Sequence, residues 1–421
     1  MPRTDVAIIG AGIAGCAAAL LFAQRGLSVL IVDRKPSDER YKRLCTHFIQ
    51  PMALPVIRKL GFEQSFRELG RATRAAFWTE AGWTDPPGDY ALDPAGEGAP
   101  VDAFNLERRR LDPFLLSRLR AAAGIDLRLD CRATGLARDA DGCWTVTLDQ
   151  ASSEQEVRAG LLVAADGRQS RVAELLSAPL EFTAPNDRGC AFAYFAHCPV
   201  PAAGRSLFMH HDGGMIFYYP LPQGRALICA FLPHGHPLLA LPAKEKAGAL
   251  LDLFGPLPHG LDLGEAAPEP GIYGYLSYPN LGRSPVWSGC AFAGDAALSI
   301  DPMSGVGCGF AFVSADLLVE STAAALAEGQ GLEAALEAYA RRFAETLGPH
   351  VRGICADSLA GKSSQTIAAT YARINADEHL QRLFMALTGR LVTPARFQRE
   401  FLLAAIAAAP ANVRTPVAAG L

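Results

Sequence analysis

Short, fully apolar runs recur along the chain, and glycine or an acidic residue closes each of them. Residues 6–9 read Val-Ala-Ile-Ile and stop at Gly10. Small and apolar residues then continue to Phe22 before Gly26 breaks the pattern, and residues 29–32, Val-Leu-Ile-Val, deliver Asp33. Runs this short, bounded by turn residues, predict strands buried on both faces, and the longer stretch between them predicts a helix. The opening unit is therefore strand, helix, strand. A second helix is expected over 51–60, ended by Gly61. A third opens at Arg108, with Leu111, Leu115 and Leu119 at helical spacing and a stop at Gly124. Between these two helices the Pro- and Gly-rich stretch 85–100 predicts a long loop. Another buried run, 161–165, delivers Asp166 and Gly167 at its C-terminal end.

From about residue 180 to 280 the pattern changes to alternation. Phe192 and Tyr194 share one face of a strand; Phe217 and Tyr219 share one face of another, with Ile216 and Tyr218 opposite. Turns at 211–214 and 222–224 join three such strands into a meander. At 291–295 the chain returns to the first pattern, and after Gly307 a helix of small and apolar residues runs toward Leu326. Beyond about 345 the chain is Ala-rich and helical, including 394–409. The fold class that follows is α/β: a Rossmann-like nucleotide-binding domain, 1–179 and 281–345, an inserted β-sheet substrate domain, 180–280, and a C-terminal helical region, 346–421.

Gly10, Gly12 and Gly15 stand in G-x-G-x-x-G spacing where the first strand meets the first helix, with Ile13 and Ala14 between the last two. Gly10 permits a tight turn, Gly12 lets backbone approach a pyrophosphate, and Gly15 lets helix and strand pack closely. The helix N-terminus offers unpaired N–H groups and positive dipole to phosphate. Asp33 has the spacing of an acid that binds a ribose 2′-hydroxyl. Arg34 and Lys35 follow it, but Asp33 repels a 2′-phosphate, so a non-phosphorylated ribose fits better. Two further motifs, Asp166-Gly167 and Gly294-Asp295 with Asp301-Pro302 and Gly305-Val306-Gly307, join the first in pointing to FAD.

Composition narrows the classes. The chain has 421 residues, half of them hydrophobic, 19% charged, and a net charge of −4. With no basic stripe interleaved with aromatics, a nucleic-acid partner is not expected. The first apolar helix is broken by Gln24-Arg25-Gly26, which argues against a signal peptide or a transmembrane segment. Ten scattered cysteines without a C-x-x-C pair suit the reducing cytoplasm. The histidines at 210–211 and at 234 and 236 lack partner ligands at suitable spacing, so no metal is expected.

These motifs resemble the flavoprotein monooxygenases of the para-hydroxybenzoate hydroxylase fold, a superfamily that also contains flavin-dependent halogenases and geranylgeranyl-reductase-like enzymes. The resemblance spans roughly residues 5–345. It implies that Gly10, Gly12, Gly15 and Asp33 bind the ADP half of FAD and that Arg108, in R-x-x-L-D, contacts the cofactor, with Arg43 a looser match to a second arginine. The family's D-G-x-x-S-x-V-R is matched from Asp166 to Val172, but Ala173 stands where the closing arginine belongs. This loop is expected near FAD and the nicotinamide ribose; Asp166 also suits a helix cap. Asp295 is expected to accept from the ribityl hydroxyls, and Pro302 and Gly305 to Gly307 to open a helix beneath the flavin. A helix N-terminus there favours the anionic reduced ring. Asp301 has the ordinary reading of a turn residue.

The resemblance implies an NAD(P)H-consuming hydroxylase of secondary metabolism, acting on an aromatic or conjugated small molecule through a flavin C4a-hydroperoxide, with NAD(P)H a transient electron donor. The substrate pocket is expected between flavin and inserted sheet, lined by Phe192, Tyr194, Phe217 and Tyr219 or their opposite-face neighbours, with His210 or His211 as an available base. A reductase of an unsaturated, prenyl-like substrate is the alternative, since 215–220 loosely resembles the geranylgeranyl-reductase signature. A halogenase is third: its W-x-W-x-I-P signature is absent.

Overall fold

In a computed structural model describing residues 2–37, 41–92, 100–211, 213–359 and 363–407, the apolar runs form the middle of an eight-stranded sheet. Its main path is Val286–Trp287, Cys290–Phe292, Ser153–Ala164, Arg3–Ile9, Val29–Asp33 and Ile125–Leu129. Arg3–Ile9 is parallel to both neighbours, and Val6 to Val32 are all but free of solvent on the two central strands. Burial on both faces is what their unbroken apolarity requires. Ser153–Ala164 is longer than its apolar run. Its polar first half forms an antiparallel hairpin with Trp144–Gln150, and only its second half enters the parallel core.

The helix Ile13–Gln24 is buried from Ile13 through Phe22 because it lies between the sheet, Arg108–Ala121 and Gly307–Glu328. Gly307–Glu328 is long and apolar enough to cross a membrane by length and composition, yet 56% of that window is buried against neighbouring elements, as in a core helix. The helix expected over 51–60 starts as a 3₁₀ turn at Pro51–Ala53 and continues as Leu54–Lys59. Residues 93–99 of the long loop, Asp212 of the first meander turn and the last two residues of the helix expected over 394–409 lie outside the described residues.

The second sheet has seven strands, in the order Ala267–Tyr275, Arg188–Ala196, Arg225–Pro233, Gly214–Leu221, Ser206–His211, Ala75–Thr79 and Gly82–Thr84. The alternation read from the sequence is present. Ile216 and Tyr218 face Leu250 and Phe254 of the helix Ala243–Phe254, while Phe192, Phe217 and Tyr219 face the other side. The sheet also takes in the two strands at 75–84, far from the 180–280 stretch. Ala75–Thr79 runs parallel to Ser206–His211 and stacks Phe77 on Phe208, centroids 4.9 Å apart. The C-terminal helices Ser364–Asn375 and Glu378–Thr388 close this edge through Tyr371 and Phe384.

A small sheet, Phe182–Ala184, Asn280–Gly282 and Leu298–Ser299, links the two large ones, and just beyond it Asp301 forms a buried junction. Its Oδ2 lies 3.0 Å from the Arg188 guanidinium and accepts from Ser358 Oγ; its Oδ1 accepts from the Met303 amide. Its own amide donates to Asn280 Oδ1. Asp301 is thus the turn residue the sequence suggested and also half of a buried ion pair.

Two outcomes are expected. Asp301→Ala strands the buried Arg188 charge and should lower stability by about 3–5 kcal/mol in chemical denaturation. His350, nearly buried in the helix Leu332–Asp357, is pushed down to about 4 by burial and then by the charge of Arg390. The unfolded chain binds that proton first, so stability should be full above about pH 6.5 and fall between there and about pH 4. In His350→Gln this part of the acid slope should disappear from melting curves taken across that range.

Candidate functional site

The C-terminal ends of the parallel strands open onto one cavity of about 740 Å³. Three glycines of its phosphate-binding corner do different jobs. Gly10 has a φ of +106°, and a Cβ there would sit 2.4 Å from the Ala165 oxygen. A Cβ on Gly15 would lie 1.9 Å from the Gly10 oxygen, and Gly15 itself does not line the cavity. A Cβ on Gly12 meets no protein atom within 4 Å, because Gly12 faces the cavity, as do Ile13 and Ala14. Gly167 and Gly307 are open in the same way.

Two helix N-termini, of Ile13–Gln24 and Gly307–Glu328, reach this space. Neither has a side-chain cap or an acid in its first turn, so their amides are left for a ligand. Before the second, Pro302–Ser304 forms a 3₁₀ turn and Gly305 takes φ +66°; Gln50 Nε2 fixes the Ser304 carbonyl at 2.8 Å. Pro302, Gly305 and Val306 all line the cavity.

Asp33 stands at the strand end with its oxygens on the amides of Ala11, 2.6 Å, and Lys35, 2.8 Å. Each oxygen keeps capacity to accept from a ribose hydroxyl. Arg34 lines the same corner. Asp166 both lines the cavity and holds the following helix through the Val172 amide; burial raises its carboxyl above the usual range. Ser170 is that helix's cap. Gly294, at φ +60°, and Asp295 close the opposite wall, where Asp295 pairs with Lys42 at 2.7 Å and holds that lysine charged. Arg108 is 5% exposed, lines the cavity and is clamped by Asp112 at 2.6 Å; Arg43 is exposed at the rim.

Cys45 and His47 stand out in the sequence only as side chains after the second strand without a flavin-linkage motif, and Cys308 not at all, yet all three line the cavity. Cys45 Sγ lies 3.8 Å from Cys308 Sγ and receives the His47 amide at 3.4 Å. The Cys308 hydrogen bond, the His47 side chain and the nearby Arg108 guanidinium outweigh burial and hold the Cys45 thiol well below its usual range. His47, at φ 61°, is 2% exposed and hydrogen-bonds Tyr194 Oη through Nε2. Spacing along the chain carries no trace of these contacts, since Cys45 and Cys308 are brought together only by the fold.

The far wall of the cavity is a row across three adjacent strands, Phe231, Cys190 and Tyr275, paired in register, with Phe192 beside it. The aromatic wall expected from the sequence is therefore corrected in three of its four members. Phe217 and Tyr219 point to the same side but are 1% exposed, packed behind Phe208 and Phe48 and away from the cavity. Tyr194 faces a second cavity of about 250 Å³ with Arg225, Glu107 and Glu269. His210 and His211 lie outside the first cavity, with His210 Nε2 3.2 Å from Tyr371 Oη.

A Rossmann sheet, a glycine turn, a strand-end acid and a second helix aimed at the same space define a dinucleotide-binding protein of the flavoprotein class. The chain belongs to the FAD-binding domain family, whose pattern matches residues 3–223. It is 25% identical over 357 residues to digeranylgeranylglycerophospholipid reductase 1 of Methanopyrus kandleri, covering 81% of this chain and 86% of that one. A 2,4-dichlorophenol 6-monooxygenase of Delftia acidovorans is 27% identical, over 42% of this chain and 32% of its own. The crystal structure of the p-nitrophenol 4-monooxygenase of Pseudomonas putida superposes with a TM-score of 0.77 at 15% identity, covering 94% of this chain and all of that one. The protein is a flavin-dependent oxidoreductase that binds FAD.

The open glycines fit that cofactor. Gly12→Val should place a side chain in the pyrophosphate space, so FAD retention on desalting falls while the melting temperature of the apo-protein holds. Gly15→Val should instead push helix from strand and lower apo-protein stability by about 1–3 kcal/mol or more.

Proposed function

We propose that this protein is an NAD(P)H-dependent monooxygenase that hydroxylates an aromatic or conjugated small molecule. The observation that carries this reading is the continuity of the FAD cradle with the wall of Phe192, Phe231, Cys190 and Tyr275 in one cavity. Bound FAD supplies the electron transfer and oxygen activation that no side chain provides. The chain's part is to orient and to shield. The aromatic row offers a flat apolar surface to a ring or polyene and keeps water from the reacting edge. The uncapped N-terminus at Gly307 would favour negative charge on a bound flavin, and Arg108, clamped by Asp112, would present its guanidinium without reorganising. Lys42 pairs with Asp295, whose carboxylate would keep acceptor capacity for the ribityl hydroxyls of bound FAD. The monooxygenase relatives support aromatic oxygenation. NAD(P)H is the electron donor of this reading, making transient contact at the surface. Ten cysteines free of disulfides support a cytoplasmic setting, and secondary metabolism suits a hydroxylase of this kind.

A second reading, reduction of an unsaturated, prenyl-like substrate, draws support from coverage. The lipid reductase of Methanopyrus kandleri matches 81% of this chain, against 42% for the chlorophenol monooxygenase. The same apolar row suits a polyene, so the two readings differ in what leaves the flavin, oxygen or hydride.

The deciding measurement is isotope incorporation. Product formed under ¹⁸O₂ should carry the label, whereas unlabelled product with turnover that persists without oxygen establishes the reductase. Wall residues should also separate from core residues. Phe192→Ala is expected to raise H₂O₂ released per NAD(P)H consumed, because substrate orientation loosens. Phe217→Ala is expected to cost about 3–5 kcal/mol of stability with that ratio unchanged.

A further inference from the structure

Three thiols line the cavity, Cys45, Cys190 and Cys308, and two of them face one another. Cys45 and Cys308 are 263 residues apart in sequence, yet their sulfurs lie 3.8 Å apart and both line the FAD cavity. Cys45 comes from the segment after Asp33, Cys308 from the first turn of Gly307–Glu328. A second thiol pair is a built-in comparison: Cys190 and Cys229 lie 3.6 Å apart on neighbouring strands, but only Cys190 reaches the cavity and Cys229 is fully buried.

Distance alone does not separate the two pairs. Charge does. Cys45 receives the His47 amide and sits near the buried Arg108 guanidinium, which favours its thiolate. Burial pushes Cys229 the other way, and does the same to Cys16, Cys131, Cys198, Cys290 and Cys355. Cys308 is likewise held above the usual range, first as the hydrogen-bond partner of Cys45 and then by burial.

We propose that Cys45 is a peroxide-reactive modification site, with Cys308 as the thiol that resolves it into a disulfide. The Cys45 thiolate attacks one oxygen of hydrogen peroxide; an S–O bond forms, the O–O bond breaks and hydroxide leaves. The sulfur is oxidised by two electrons to the sulfenic acid, and the peroxide is reduced by the same two. Cys308 sulfur then attacks Cys45 sulfur, the S–O bond breaks, and its hydroxyl leaves with the Cys308 proton as water. The source of peroxide in this cavity rests on the monooxygenase reading, in which unproductive turnover releases it beside these sulfurs. The cross-link then records that turnover, and a dithiol erases it.

The test treats FAD-loaded protein with hydrogen peroxide near pH 7, then denatures, alkylates and digests it for mass spectrometry. The expected result is a dithiothreitol-sensitive peptide joining Cys45 to Cys308, with the other eight of the ten cysteines alkylated. Cys308→Ser should instead trap a dimedone adduct on Cys45, and Cys45→Ser should show neither product. Full alkylation of Cys45 after a large excess of peroxide, or a Cys190–Cys229 link formed in preference, overturns the proposal. The wild-type arm decides this even where a serine variant fails to fold. A parallel arm replaces added peroxide by NAD(P)H and air without substrate. The link forming with added peroxide but not there leaves the site standing and counts against the monooxygenase reading.

Discussion

The two walls of the cavity are held to one another by a buried ion pair. Arg188 opens the strand that carries Cys190 and Phe192, and Asp301 opens the turn that leads to Gly305 and the helix start at Gly307. The side chains are 6% and 2% exposed, so desolvation offsets much of their attraction and the pair adds little net stability. What it adds is position. Removing either partner leaves a charge in a place that cannot hold one, and sliding the sheet against the turn breaks the same contact. Ser358 adds the end of Leu332–Asp357 to the junction, so the substrate wall, the flavin loop and a C-terminal helix share one anchor.

Charge around the cradle follows a similar economy. Fixed positive potential comes from two helix N-termini without caps, while Arg108 is already paired with Asp112 and Lys42 with Asp295. Mobile charges would have to reorganise as a ligand changes charge; backbone dipoles and clamped pairs do not. Cys45 is drawn toward its anion by Cys308, His47 and the Arg108 guanidinium.

Much of the site could be read from the sequence because dinucleotide binding is a local problem. A glycine turn between strand and helix, and an acid at the end of the next strand, are consequences of short-range geometry, and Gly10, Gly12, Gly15 and Asp33 stand where that geometry needs them. The face alternation of the second sheet was legible for the same reason. What the pattern does not contain is register. Phe192 and Phe217 share a buried face, but only the pairing of Cys190 with Phe231 and Tyr275 decides which row meets the cavity. The recruitment of 75–84 into that sheet and the meeting of Cys45 with Cys308 are equally non-local. Asp301 shows the limit from the other side: its turn role is visible beside Pro302, whereas its partner lies 113 residues away.

The order of strands in the first sheet bears on how this chain is made. Arg3–Ile9 is made before its neighbour Ser153–Ala164, which follows some 150 residues later, and Cys290–Phe292 comes later still. The second helix start, at Gly307, comes after both. Long-range parallel pairings of this kind form slowly, and they leave apolar strands without neighbours during synthesis. The cofactor therefore has no complete cradle on a nascent chain that has not passed Gly307. Until then the strands at 6–9 and 29–32 have only one another and the helix between them for cover, so FAD binding waits on the later segments.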